Sequence, residues 1–319
     1  MLCSEIIEKC GILPVINITD TALAKPLATV LTEEGIPTIE VTLRSDCSLK
    51  AITEIKQNFP EMKVGAGTVL DCKTVDAAIA AGADYIVTPG FNEEVTDYCL
   101  EKKIEIFPGC STATEIQRAY ENGLRVLKFF PAELSGGVDA IKLFSGPFKG
   151  VKFAPTGGIN FSNLDRYLSC DKVAACGGSY MATAEQLKNK DFDAIRLACR
   201  KAKNISLGFE VAHIGINHET EKEADETANA MSAVFRMPIK NGNSSIFVSD
   251  KVECMKTNYY GTKGHIGVKT RSSLRAIAWF ESQGYEILEE SIRKKENGNI
   301  LSAYLKDEIG GFAVHIIEK

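Results

Sequence analysis

Between residues 13 and 179, short apolar segments recur about every 20 to 27 residues, with amphipathic stretches between them, a rhythm that suits strand–helix units. The strand candidates are Leu13–Ile16, Thr38–Leu43, Lys63–Thr68, Tyr85–Pro89, Glu105–Gly109, Arg125–Phe130, Lys152–Gly158 and Val173–Ser179. The spacing predicts helices such as Thr21–Glu34, Leu49–Asn58, Lys73–Ala81, Thr112–Asn122 and Ser162–Ser169. Asp20, Asp46, Asp71, Ser111 and Ser162 stand where N-terminal caps are needed. One longer amphipathic stretch, Ala184–Asn204, follows. Eight strands alternating with helices predict a closed parallel (β/α)8 barrel. The alternative is an open doubly wound sheet, but no Gly-x-Gly-x-x-Gly follows the first strand, so the barrel is preferred.

The pattern changes after Asn204-Ile205-Ser206-Leu207-Gly208, dividing the chain into residues 1–206 and 207–319. In the second part, Ala212-His213-Ile214-Gly215-Ile216 is echoed 52 residues later by Gly264-His265-Ile266-Gly267-Val268. Each copy precedes a helical segment (Ala224–Phe235, Leu274–Gln283) and turn-marked strands, with turns at Asn241-Gly242 and Asn297-Gly298. Two β-α-β-β-β copies, forming a smaller α+β domain, are the economical reading.

Composition narrows the function. The 319 residues are 45% hydrophobic and 25% charged, with a net charge of −5, which removes the electrostatic footprint of a general nucleic-acid binder. No apolar run approaches the ~18 residues of a membrane span, and the start, Met1-Leu2-Cys3-Ser4-Glu5, lacks the pattern of a secretory signal. Ten cysteines without a Cys-x-x-Cys pair read as buried, reduced thiols of a cytoplasmic protein. Only four histidines exist, at 213, 218, 265 and 315. Acid–base chemistry in the first part therefore falls to carboxylate, lysine, tyrosine or water.

In the second strand Ile39, Val41 and Leu43 share one face, and Thr38, Glu40, Thr42 and Arg44 share the other. In a barrel the apolar face meets the helices, so a carboxylate and a guanidinium look inward, where they are costly unless they serve a solvated site. In the sixth strand Val126, Lys128 and Phe130 share a face opposite Leu127 and Phe129. An inward amine among apolar neighbours is favoured as the free, nucleophilic base. Singly, an Arg–Glu ion pair and a snorkelling lysine would explain these residues; together they favour a site. The last two strands end in Thr156-Gly157-Gly158 and Gly177-Gly178-Ser179, where barrel loops often bind phosphate through backbone N–H groups.

These blocks, with Gly65-Ala66-Gly67-Thr68-Val69-Leu70, Thr88-Pro89-Gly90, Pro108-Gly109-Cys110-Ser111-Thr112 and Leu127-Lys128-Phe129-Phe130-Pro131-Ala132-Glu133, resemble one known family. It is the 2-keto-3-deoxy-6-phosphogluconate (KDPG)/4-hydroxy-2-oxoglutarate (KHG) aldolase family, and the resemblance covers roughly residues 5 to 204. It implies a class I aldolase on a TIM barrel, with Lys128 as Schiff-base lysine and Glu40 as acid–base carboxylate. Arg44, Thr68, Pro89, Phe130 and Thr156 would line the pyruvate half of the pocket, and Gly157, Gly158, Gly178 and Ser179 would hold a distal phosphate. The implied substrates are 2-keto acids: KDPG, its galactonate epimer or 4-hydroxy-2-oxoglutarate. No cofactor is implied beyond the covalent imine, and a homotrimer is. Many relatives carry arginine after the first strand, where this chain has Asn17. A non-catalytic phosphosugar sensor is the competing class.

His213 and His265 hold matching places on the first strands of the two copies. His315 lies on the last strand of the second copy, and Glu253 is its counterpart in the first. The tandem pattern resembles the vicinal-oxygen-chelate (glyoxalase-like) fold over about residues 209 to 319. That resemblance implies a cup in which His213, Glu253, His265 and His315 hold a divalent metal such as zinc, nickel, iron or manganese. The second part is then either a separate metal-dependent enzyme or a module for binding or assembly. His218 falls in a polar stretch and reads as ordinary.

Overall fold

A computed structural model describes residues 1–296 and 298–319, so Asn297 of the expected Asn297-Gly298 turn lies outside the described residues. The chain divides into two compact units, Met1–Ser206 and Leu207–Lys319.

The first unit contains strands β1 (Ile12–Ile16), β2 (Thr38–Thr42), β3 (Lys63–Gly67), β4 (Tyr85–Val87), β5 (Glu105–Phe107), β6 (Gly109–Cys110), β7 (Val126–Phe129), β8 (Lys152–Pro155) and β9 (Cys176–Gly178). Its helices are α1 (Cys3–Cys10), α2 (Ala24–Glu33), α3 (Ser48–Asn58), α4 (Cys72–Ala80), α5 (Glu93–Glu101), α6 (Ala113–Glu121), α7 (Gly137–Ser145), α8 (Leu164–Leu168), α9 (Ala184–Lys188) and α10 (Phe192–Leu207). Strands pair in the orders β5-β4-β3-β2-β1-β9 and β6-β7-β8. Parallel bridges Phe153–Val173 and Thr156–Gly177 join the two runs on one side. On the other side β5 and β6 are halves of one barrel strand broken at Pro108, whose carbonyl accepts from the Lys128 N–H. The ring is therefore a closed TIM-barrel-like α/β fold.

Strand alternation sorts the side chains. Ile39, Val41, Leu127 and Phe129 are fully buried between the strands and the outer helices. Truncating one of these, as in Phe129→Ala, would cost about 3–5 kcal/mol. The inward Tyr85, Val87, Phe107 and Ala175 pack with Cys3 and Ile7 of α1, which thereby fills one end of the barrel. The opposite inward positions are left for polar groups.

Several boundaries differ from the sequence reading. Asp20 and Asp71 accept from Ala22 N–H and Thr74 N–H as helix caps. Asp46 caps nothing: α3 starts after Cys47, and the Ser48 hydroxyl instead donates to the Thr42 carbonyl. Thr112, not Ser111, caps α6, because it forms a reciprocal pair with Glu115. Ser162 sits in a turn, donating to Asn160, and α8 begins only after Asn163. Ala184–Asn204 is two helices: Lys190 adopts φ 54°, and Asp191 restarts the chain by accepting from Ala194 N–H. All ten cysteines are free, and Cys47 and Cys72 are only half-buried.

In the second unit, β10 (Glu210–Ile216), α11 (Glu221–Phe235), β11 (Ile239–Asn241), β12 (Ser245–Val248) and β13 (Val252–Met255) form one copy. β14 (His265–Thr270), α12 (Ser273–Ser282), β15 (Arg293–Lys294), β16 (Ile300–Tyr304) and β17 (Ala313–Glu318) form the other. The eight strands make one mixed sheet, ordered β11-β12-β13-β10-β14-β17-β16-β15. Read outward from the antiparallel β10–β14 pair, both copies follow the same order. Ala224 and Ala228 of α11 pack on Ile246, Val248 and Cys254, and Ala276 of α12 packs on Ala303 and Ile316. Because neighbours alternate along a strand, Glu253 and His315 point to the face away from these helices. Among the described residues, no helix is long and apolar enough to cross a membrane.

Candidate active site and a second side-chain cluster

β2 and β7 bring Glu40 and Lys128 together inside the barrel although they are 88 residues apart in sequence. Lys128 Nζ donates to Glu40 Oε1 at 3.0 Å, with the two residues 7% and 1% exposed. A buried pair of this kind is weak evidence of stability, and it sets an amine and a carboxylate in contact inside the barrel. The second carboxylate oxygen, Oε2, is buried without a hydrogen-bond partner, so it is open to exchange a proton with a group in the cavity. Gly67 on β3 makes the room: a Cβ there would lie 2.2 Å from Glu40 Oε1.

Lys128 and Glu40 sit in the wall of a cavity of about 340 Å³. Of the residues named from sequence, Arg44, Phe130, Thr156, Gly157, Gly158, Gly178 and Ser179 also line it, and so does Asn17. Thr68 and Pro89 do not. Thr68 acts one step back, with a hydroxyl that accepts from Arg44 Nε at 3.2 Å. Pro89 follows the end of β4, and its carbonyl packs against Gly109, where a Cβ would lie 2.2 Å away. Thr42, which shares the face of Glu40, lines the cavity and was legible from the two-residue period. Thr19, Ile159, Ala182 and Leu187 also line it, and no local motif marks them.

In the second unit, the Nε2 atoms of His213 and His265 are 3.1 Å apart, and those of His213 and His315 are 3.3 Å apart. Glu253 Oε2 lies 3.1 Å from His265 Nε2 and 3.3 Å from His213 Nε2. Ligand atoms around a tetrahedral ion at zinc–ligand bond lengths would be separated by about 3.3 Å; the donor atoms of His213, His265 and His315 all lie within 4.8 Å of one another, and Glu253 stands outside that group, against His213 and His265. Protonation favours the same use. Burial pushes His213 down from its ordinary value, and burial plus the neighbouring histidines push His315 down to about 3. Burial works against ionisation of Glu253, but hydrogen bonds from His265 and Ser245 outweigh it and hold the carboxyl below its usual range. Neutral imidazoles and an ionised carboxylate are the forms that bind metal.

The copies interlock through glycines. A Cβ at Gly215 would lie 2.0 Å from the His265 ring, and one at Gly267 would lie 2.5 Å from the His213 ring. Each His-x-Gly thus carries one histidine of the cluster and leaves space for the other copy's histidine. Tyr304 stacks on His315 with ring centroids 4.5 Å apart, closing one side. His218 is held apart, between the Met255 carbonyl and the Thr227 hydroxyl.

Residues 3–198 match the family model for KDPG and KHG aldolase. A 2-dehydro-3-deoxy-phosphogluconate aldolase of Treponema pallidum is 42% identical over 191 residues, covering 60% of this chain and 91% of that protein. A KHG/KDPG aldolase of Escherichia coli K12 is 39% identical, covering 60% and 90%. The crystal structure of a Legionella pneumophila KDPG aldolase, with pyruvate captured as a covalent carbinolamine, superposes with a TM-score of 0.61 at 35% identity. That match covers 62% of this chain and 97% of that one.

Proposed function

The chain belongs to the KDPG and KHG aldolase family, and we propose that it is a class I aldolase splitting KDPG into pyruvate and glyceraldehyde 3-phosphate. Cleavage of 4-hydroxy-2-oxoglutarate into pyruvate and glyoxylate is the sister activity. The carrying observation is the buried Lys128–Glu40 contact of 3.0 Å in the wall of the cavity.

Lys128, as the free amine, attacks the C2 carbonyl to give a carbinolamine. Glu40 then protonates its hydroxyl, and water leaves. The resulting iminium accepts the C3–C4 bonding electrons while Glu40 takes the C4 hydroxyl proton, releasing the aldehyde and leaving an enamine. Protonation at C3 and hydrolysis release pyruvate and restore the amine. With no histidine among residues 1–206, a carboxylate in this role is the available choice. Arg44, oriented by Thr68, meets the C1 carboxylate, and Phe130 and Thr156 shape the pyruvate half. Gly157, Gly158, Gly178 and Ser179 approach the distal phosphate through backbone and hydroxyl. Borohydride added with pyruvate should fix a reduced adduct on the peptide carrying Lys128; an active protein without that adduct would rule the scheme out.

We also propose that residues 207–319 form a glyoxalase-like domain in which His213, Glu253, His265 and His315 hold a divalent metal. The mutual closeness of the three histidine nitrogens, with Glu253 beside two of them, supports this reading, and the ion would act as a Lewis acid toward an oxygen ligand. A separate metal-dependent enzyme is favoured over a binding module because the nitrogens of three imidazoles, His213, His265 and His315, all lie within 4.8 Å of one another. Mass-spectrometric metal analysis of protein purified without chelator should find about one ion per chain. Substoichiometric metal that His265→Ala leaves unchanged would favour the binding module. The trimer implied by the family resemblance is tested by light scattering.

A further inference from the structure

We infer that Glu133 and Tyr167 form a brace that sets the span between Lys128 and the glycine turn at the far end of the cavity, and so govern use of a phosphorylated substrate. The inference rests on the aldolase reading above. After Lys128 the chain runs through Phe130 and Pro131 and lies along the turn formed by Thr156, Gly157 and Gly158. The Ala132 N–H donates to the Thr156 carbonyl at 2.8 Å, and the Glu133 N–H to the Gly157 carbonyl at 3.2 Å. Gly157 and Gly158 have φ values of +95° and +83°, in the left-handed region that side chains disfavour.

The Glu133 side chain packs on this turn. A Cβ on Gly158 would lie 2.6 Å from Glu133 Cγ, so the methylenes of Glu133 occupy the space that a residue at 158 would need. Beyond them, the Glu133 carboxylate accepts a hydrogen bond from the Tyr167 hydroxyl. Tyr167, on α8, is fully buried, so its hydroxyl is a fixed point of the core. Gly137 leaves it room, since a Cβ there would lie 3.2 Å from that hydroxyl. Without the anchor, an exposed glutamate samples several rotamers, and its methylenes no longer define where the turn sits. Neither Glu133 nor Tyr167 borders the cavity, so both are positioning residues.

The non-phosphorylated substrate, 4-hydroxy-2-oxoglutarate, uses Lys128 and Glu40 but makes no phosphate contact with the turn. Steady-state kinetics of the full-length wild type, Tyr167→Phe, Glu133→Ala and Glu133→Gln on both substrates separate the effects. Tyr167→Phe and Glu133→Ala should each raise KM for KDPG by about five- to tenfold, the scale of one lost hydrogen bond. Values of kcat, and both constants for 4-hydroxy-2-oxoglutarate, should stay within about twofold of wild type, since the chemistry end is untouched. Glu133→Gln still accepts the hydrogen bond and should recover most of the loss. The double variant Tyr167→Phe/Glu133→Ala should be no worse than Glu133→Ala alone, because the hydrogen bond that Tyr167→Phe removes is already lost in it. Equal losses on the two substrates, or no change on either, would overturn the brace. Wild-type protein that cleaves neither substrate would instead overturn the aldolase reading.

Discussion

Gly67→Ala disturbs the reactive pair without altering either member. The added Cβ would lie 2.2 Å from Glu40 Oε1 and 2.8 Å from its Cγ, on a β3 position enclosed by the barrel. Ordinary nonbonded separations are about 3.5 Å, so the carboxylate must withdraw by about 1.3 Å. A retreat of that size directed away from Lys128 stretches the 3.0 Å contact beyond hydrogen-bonding reach. Displacing a reacting group by about 1 Å costs about 10²-fold, and losing acid–base assistance costs about 10²- to 10⁴-fold. A fall in kcat/KM of about 10²- to 10³-fold is therefore expected, equal to about 3–4 kcal/mol of barrier. The crowding itself should cost about 1–3 kcal/mol of stability, so thermal unfolding is recorded alongside. Gly90→Ala is the control, because nothing lies within 4 Å of a Cβ built there. The assay follows pyruvate release from KDPG through lactate dehydrogenase. A folded Gly67→Ala protein with turnover within about threefold of wild type would refute the role given to Glu40.

Two further outcomes follow from other contacts. Gly215→Ala would set a methyl 2.0 Å from the His265 ring and displace it, so metal held at the proposed site should fall at least about tenfold while aldolase turnover is retained. Full metal content in this variant would contradict the interlocked site. Glu34 is held below the usual carboxylate range chiefly by its hydrogen bond from Arg200, with Arg196 adding to it. A lowered carboxyl contributes stability above its unfolded value and loses it as pH falls through the folded one. Glu34→Gln should thus cost about 1 kcal/mol at neutral pH, discounted because both arginines are partly exposed, and the difference should close in acid. A pH-independent difference in urea melts would assign the loss to packing.

The barrel was legible because its chemistry breaks the local pattern. Glu40 and Lys128 are charges on strand faces that period-two counting turns inward, and the structure places them in contact. Thr68 and Pro89, named by the family resemblance and not by periodicity, sit just beyond their strands; one supports Arg44 and the other leaves the wall. Helix starts are less legible. Adjacent Ser111 and Thr112 compete for one cap, and Glu115 decides between them through a reciprocal bond that propensity does not encode. The break at Lys190 was hidden because Ala184–Asn204 keeps an amphipathic spacing across it. In the second unit the repeat pointed to the histidines, but the use of Gly215 and Gly267 emerges only when β10 and β14 are paired in register. Glu133 and Tyr167 are 34 residues apart, and nothing local announces their contact.

Turnover by Lys128→Ala tests most directly whether Lys128 is the nucleophile. Pyruvate release from KDPG and from 4-hydroxy-2-oxoglutarate should drop to the uncatalysed background in a variant that still unfolds cooperatively, since removing the amine removes the imine route altogether. Pyruvate release by Lys128→Ala at a rate comparable to wild type would contradict the account.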